Sequence, residues 1–453
     1  MIYLYLTILV VAKLSLATDY DYGEVLEKSL LFYEAQRTGY LPLNNRVPWR
    51  GDSFVTDQGH DGEDLTGGFF DAGDHVKFGF PLASTITFLA WGMVDAKEGY
   101  VKAGQWENGL DCLKWAMDYF IKIHPSPNVL YVQVGNGTED HQFWGRPEEW
   151  TGSNPRLALK ATTELPASEV AGEQAAAMAA ASMVFRENGD IQYANTLLAH
   201  AVQLYIFATT YRGRYSDSFP EIGGFYGSWA YGDELLYAAA WLFRATGKPV
   251  FRRDYTRFWT EFGLNYRPTE MSWDQKLPAA QILLAAVDGS PQYTNAAREF
   301  CDWYVYSAPR TPLGLVFFSM WGSLRMSANA AYVCLQAANA GINVEVYRTF
   351  AKSQIDYILG DTGRSFVVGF GVNPPLNPHH RASSCPDLPA VCDWNAFNSP
   401  DANPQTLFGA LVGGPDINDV YVDDRADYVG NEVALDYNAA FQSAVAALCE
   451  IHC

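Results

Sequence analysis

Three loop segments carry residues whose types and spacing suit a reaction that gives a proton at one end of a bond and takes one at the other. The first is Gly67-Gly68-Phe69-Phe70-Asp71-Ala72-Gly73-Asp74-His75-Val76-Lys77. Two carboxylates three residues apart on a Gly-rich loop can face one water molecule, one taking its proton while the other orients it. Taken alone, such a loop is also an ordinary turn former. The second segment runs from Tyr421-Val422-Asp423 through Asp427-Tyr428-Val429-Gly430-Asn431-Glu432 to Asp436-Tyr437-Asn438 and leads into the last helical pattern. Asn431 reads there as an N-cap, with Glu432 in a first turn whose dipole favours an ionised carboxylate. For Glu432 to act as a general acid, burial and repulsion from Asp71 and Asp74 have to outweigh that dipole. The third segment, Ser365 to Arg381, ends in Asn377-Pro378-His379-His380-Arg381. A Pro-stiffened loop presenting His and Arg fits the hydroxyls of a ligand, and equally a structural surface loop.

The elements that position these loops are mostly helices. Trp106, Leu110, Leu113, Met117 and Phe120 step by four, three, four and three, which is one helical face. Comparable patterns predict helices over 24–37, 83–97, 166–187, 190–210, 231–246, 249–262, 275–287, 291–306, 325–341, 344–359 and 433–451. Strand patterns are scarce, the best being 129–134 and 366–368. The Ala-rich stretch Ala175–Ala181 suits close helix packing. About a dozen helices with long Gly/Pro-rich loops predict an all-α fold, a closed (α/α)6 barrel of six inner and six outer helices with its loops shaping one face. An ordinary multi-helix bundle has the same periodicity. Length alone suggests two or three domains. No Gly/Ser or Pro-rich linker divides the chain, so residues 18–453 are expected to form one domain.

Composition narrows the classes. Of 453 residues, 49% are hydrophobic and 18% charged, which is globular and not disordered. An apolar run from Ile2 to Val11, followed by Ser15-Leu16-Ala17, predicts a signal peptide over residues 1–17 and a secreted, extracellular protein. The formal net charge is −20, so neither nucleic acid nor an anionic membrane is an expected partner. Aromatic residues make up 15%, with 13 Trp and 27 Tyr, and their flat faces suit neutral pyranose rings. Seven cysteines leave at least one thiol without an intrachain partner. Cys385 and Cys392 bracket a Pro-rich loop and suit a local disulfide, while Cys112 falls in a helical pattern and reads as a small buried hydrophobe. Asn136-Gly137-Thr138 is a glycosylation sequon. Neither a phosphate-cradling loop nor a His-Glu-x-x-His pattern occurs.

Together, Asp71–Lys77, Ser365–Arg381 and Tyr421–Ala439 resemble the marker segments of family 9 glycoside hydrolases, in the same order, and the likeness runs from Tyr33 to the final helix. The resemblance implies an (α/α)6 barrel with an open cleft, acting as an endo-β-1,4-glucanase on β-1,4-glucan or cello-oligosaccharides with inversion at the anomeric carbon. It makes Asp74 the catalytic base, Asp71 its partner in holding the water, and Glu432 the general acid. An inverting pair is expected about 6.5–9.5 Å apart. His141, Trp144, Tyr226, Trp229, Trp321, Arg325, His379, Arg381, Asp423 and Tyr437 match substrate-binding positions. Asp233, Glu234 and Asp274 match carboxylates that hold a structural calcium, a hard ion that takes oxygen ligands. The bland reading of Asp233 and Glu234 is a complement to a helix N-terminus. The segment Ser228–Gly232 is one residue shorter than in some members, and Met326 stands where some have Tyr. The expected state is a monomer without a cellulose-binding module, suited to soluble or amorphous glucan. Two other classes are weighed against this. Asp71-Ala72-Gly73 and Asp361-Thr362-Gly363 resemble aspartic-protease loops, but those proteases are almost wholly β. A catalytically dead sugar-binding barrel needs a lost carboxylate, and all three are present. Endo against exo action depends on loop lengths at the cleft ends.

Overall fold

The computed structural model describes residues 20–453; the signal peptide expected over residues 1–17 lies outside them. Among the described residues, twelve helices have eleven residues or more: α1 (Tyr22–Ala35), α2 (Gly79–Asp95), α3 (Trp106–Ile123), α4 (Ser168–Glu187), α5 (Ile191–Thr210), α6 (Gly232–Thr246), α7 (Pro249–Glu261), α8 (Leu277–Val287), α9 (Pro291–Tyr306), α10 (Ser323–Asn339), α11 (Val344–Asp356) and α12 (Leu435–His452). The even-numbered helices are buried around nearly their whole circumference; in α2 every residue from Gly79 to Met93 is buried. The odd-numbered ones bury one stripe, as Leu110, Leu113, Ala116, Met117 and Phe120 do in α3. That difference separates an inner ring from an outer ring. Contacts run α2–α4–α6–α8–α10–α12 and back to α2, so the inner ring closes. The fold is therefore the (α/α)6 barrel and not an open bundle.

Local signals set the helix ends. Asp21 and Asp190 accept the backbone N–H groups of Glu24 and Tyr193, at 2.9 and 3.0 Å, and cap α1 and α5. Loss of such a cap costs about 1 kcal/mol. Gly247 ends α6 at φ 66°, a conformation open to glycine without strain. Alanines 175–181 in α4 are buried and let neighbouring helices approach closely.

Two features of the expected elements are corrected. Residues 366–368 form no strand; Val367 makes a single bridge to Leu411. The short antiparallel sheet instead joins β1 (Lys77–Phe78), β2 (Leu130–Val134) and β3 (Ala158–Ala161). The last helix begins at Leu435 with Ala434 as its cap, so Glu432 stands outside the first turn and Asn431 is no N-cap. Asn431 is fully buried and uses its side chain to bond Tyr421 and the carbonyl of Val422.

The connections leaving four inner helices are tight, at two to four residues after α4, α6, α8 and α10. Those entering the inner helices are long, from fifteen residues before α8 to seventy-eight before α12. Inner helices run parallel in such a ring, so every long loop gathers at the end where their N-termini lie. Disulfides brace the chain at Cys301–Cys334, Cys385–Cys392 and Cys449–Cys453. Cys112 is free and buried, its thiol pushed up to about 12 by burial, which makes it inert. No helix among the described residues is long and apolar enough to cross a membrane.

Candidate active site

The Asp71–Asp74 loop is fixed from three directions. Gln36, just past α1, donates its side-chain amide to the carbonyls of Phe70 (3.3 Å) and Ala72 (2.6 Å). The N–H of Leu435, which opens α12, donates to the carbonyl of Asp71 at 2.8 Å, and that of Arg381 to Gly73 at 3.2 Å. Gly73 is required by this closeness, since a Cβ there would lie 2.3 Å from the carbonyl oxygen of His379. His379 forms an isolated parallel bridge with Glu432, its N–H donating to Asn431 O at 2.8 Å. Three segments far apart in sequence thus meet at the loop-bearing end of the barrel.

Their carboxylates all hold protons more tightly than usual. Burial raises Asp74 to about 7, assisted by the negative charge of Asp140 and opposed by Arg381. Asp71 is raised well above the carboxylate range by burial and by Asp74, although Tyr226 donates its hydroxyl to Oδ2. Asp71 Oδ1 is buried without a protein partner. Burial lifts Glu432 to about 7, against hydroxyl and indole donation from Tyr437 (2.7 Å) and Trp321, both to Oε2. Burial, not the helix dipole, decides Glu432. This set can take a proton at one point and give one at another near neutrality.

The other expected positions divide by exposure. Trp229 is 85% and Trp321 48% exposed, flat faces open to a ligand. His379 donates from Nδ1 to Arg425 O at 2.7 Å, which leaves Nε2 as an acceptor; burial lowers it to about 4, so it is neutral near pH 7. His141 is exposed, with Nδ1 bonded to Gly137 O at 2.7 Å. Trp144, by contrast, is buried at 4%, donates to Ser384 Oγ and packs against His379 and Phe397. Arg325 pairs with Asp436 at 2.7 Å beneath the Tyr437 ring. Asp423 accepts the N–H groups of Leu376 (2.8 Å) and Asn377 (2.9 Å), and so ties down the loop before His379. Two participants escaped sequence reasoning. Asp140, next to the expected His141, was given no role, and Trp394, 45% exposed, packs beside Trp144 with ring centroids 5.6 Å apart and planes tilted by 40°.

A second carboxylate group lies under the first turn of α6. Glu234 is fully buried and neither of its carboxylate oxygens has a partner; Asp274 Oδ1 is orphaned as well. Asp233 accepts the N–H of Lys276 at 2.7 Å. Burial raises all three, Asp274 to about 6. Unpartnered buried carboxylate oxygens are what a hard cation satisfies, so these residues fit such an ion. A tighter trio, Asp74, Asp140 and His141, has donor atoms within 4.8 Å of one another, but there Arg381 already supplies the positive charge.

A closed helical barrel with proton-holding carboxylates beside exposed tryptophans suits acid–base hydrolysis of a sugar chain, and the sequence match makes the chain a glycoside hydrolase. The chain belongs to glycosyl hydrolase family 9, whose sequence model matches residues 22–445. It is 55% identical to an endoglucanase of the termite Nasutitermes takasagoensis, with a TM-score of 0.94 over 96% of this chain and 100% of that one. It is 34% identical to the cellulase Cel9M of C. cellulolyticum crystallised with cellobiose (TM-score 0.87; 96% and 99% covered). Endoglucanase B of Cellulomonas fimi is 44% identical over 96% of this chain, which spans 42% of that protein's length.

Proposed function

We propose that the chain is a secreted, monomeric endo-β-1,4-glucanase whose described residues form one catalytic domain, cleaving internal bonds of cellulose and related β-glucans with inversion. Asp74 takes a proton from water held jointly with Asp71, and Glu432 gives its proton to the departing glycosidic oxygen. The observation that carries this reading is the convergence of three carboxylates with raised proton affinity beside the half-exposed Trp321, whose indole donates to Glu432. A closely coupled pair such as Asp71 and Asp74 ionises in steps, and its first negative charge is enough for a base. Oε2 of Glu432 is occupied by two donors, so the transferable proton belongs on Oε1. Trp321 and Trp229 supply stacking faces, His379 and His141 supply hydrogen-bonding groups, and Arg381 is buried against Asp140 behind them. Trp144, Arg325, Asp423 and Tyr437 act from behind as supports.

Asp233, Glu234 and Asp274 are assigned to a structural calcium ion, which neutralises buried charge and takes no part in bond cleavage. The orphaned oxygens of Glu234 and Asp274 support this.

Proton NMR within minutes of mixing tests the chemistry: a β-1,4-glucan should first give α-configured reducing ends. Early β-anomer would point to a covalent nucleophile instead. On carboxymethylcellulose, viscosity should fall much faster than reducing ends appear; cellobiose as sole product with slow thinning would make the enzyme exo-acting.

A further inference from the structure

The proposed base has a positively charged neighbour that should weaken it. Arg381 is buried, with 4% of its surface exposed, and its charge stabilises the ionised carboxylate of Asp74 and so lowers its affinity for a proton. A base beside an uncompensated guanidinium is a poor proton acceptor. Asp140 addresses this. It is buried at 2% and accepts a charged hydrogen bond from Arg381 Nη1 on Oδ2. The backbone N–H of His75, next to Asp74, donates to both of its oxygens at 3.3 Å. The carboxylates of Asp74 and Asp140 approach each other within 4.8 Å.

We propose that Asp140 is a positioning residue for the base: it clamps the backbone behind Asp74 and absorbs the charge of Arg381, leaving Asp74 basic enough to accept a proton from water. The inference rests on the assignment of Asp74 as base. The other groups facing this pair do not substitute for Asp140. His75 approaches it with Nδ1 at 3.6 Å, but burial lowers His75 well below its ordinary value and keeps it neutral. His141 Nδ1 is 4.0 Å away on the exposed side, and His379 is neutral near pH 7. Asp71 and Glu432 add negative charge near Asp74, yet neither bonds Arg381.

The test is the pH profile of kcat/KM on a soluble cello-oligosaccharide, taken on variants whose melting curves show them folded. Asp140→Asn keeps the shape and the acceptor for His75. It should move the acid limb down by about one pH unit and lower kcat by about 10- to 100-fold. Arg381→Gln leaves the Asp140 charge unopposed and should move the acid limb up. Asp140→Glu, which keeps the charge, should leave the limb within about half a unit of wild type. Opposite displacements by the first two variants identify charge compensation. If one of them does not fold, the direction shown by the other decides, and Asp140→Glu remains a third readout. No displacement, or displacement in the same direction, overturns the proposal. An Asp74→Asn variant that kept its turnover would sink the base assignment itself, a separate and distinguishable failure.

Discussion

Two groups of buried carboxylates lie at the same end of the barrel, and both hold their protons abnormally tightly. In the group of Asp71, Asp74 and Glu432, every carboxylate has a neutral donor: Tyr226 on Asp71, the Ala72 N–H on Asp74 at 3.3 Å, and Tyr437 and Trp321 on Glu432; only Asp71 Oδ1 is bare, and the charge of Arg381 lies near Asp74. In the group of Asp233, Glu234 and Asp274, Glu234 lacks any donor, and Asp274 Oδ1 is bare. A raised pKa therefore does not by itself mark catalysis. Neutral donors let a carboxylate switch between two protonation states at modest cost, which proton transfer needs. A carboxylate with both oxygens bare, as in Glu234, is costly to ionise, and a bound cation would offset that cost beyond what the nearby Lys276 supplies.

The largest predicted effects break this comparison at its first member. Asp74→Asn and Glu432→Gln should each lower kcat by roughly 100- to 10,000-fold while melting like wild type. Asp71→Asn should be impaired less, because the base remains. Near-wild-type turnover on an unactivated glucan by either of the first two would remove that residue from the chemistry. Next in size comes the second group. Chelation should lower the melting temperature by about 5 °C or more, and Asp274→Ala should do the same, with kcat per folded molecule unchanged. A melting curve that ignores complete metal removal, checked by elemental analysis, would show that the bare carboxylates are stabilised in another way.

What the sequence made legible follows the same division. Asp71, Asp74 and Glu432 stand in loops with dense local patterns, and the twelve helices announce themselves by long apolar periodicity. The strands at 77–78 and 158–161 are too short to show a period. Partnerships across the chain leave no local trace. Asp140 and Arg381 are 241 residues apart, and Tyr226 and Asp71 are 155 apart. Exposure was hidden as well: nothing in the spelling of Trp144 and Trp394 says that the first is buried and the second half-exposed. The helix-dipole conflict foreseen for Glu432 dissolved because α12 starts three residues later, at Leu435.

The two limbs of the pH profile sharpen the comparison further. With Asp74 and Glu432 both at about 7, activity should centre near neutrality and not near pH 4. The acid limb reports the Asp71–Asp74 pair, which must carry a negative charge on Asp74, and the basic limb Glu432, which must be protonated. Activity measured across pH 4 to 9 checks this; a maximum at about pH 4 would mean that substrate or solvent relieves the burial.

The smallest effect concerns one donor. Tyr437 is buried at 1% and donates to Oε2 of Glu432 at 2.7 Å. That bond favours the ionised carboxylate, so it pulls Glu432 down against the burial that pushes it up. Tyr437→Phe deletes the bond and keeps the ring that covers Arg325. Glu432 should then hold its proton to higher pH, and the basic limb of kcat/KM should rise by about half a unit to one unit. Trp321 still donates to the same oxygen, which limits the shift. Because Tyr437 presents almost no surface to a ligand, KM at the optimum should barely change, whereas Trp321→Phe should raise KM through its exposed face. A basic limb that stays put or moves down in Tyr437→Phe would mean that the hydroxyl does not tune the acid, and that the donors of the first group are scaffolding like the helix caps.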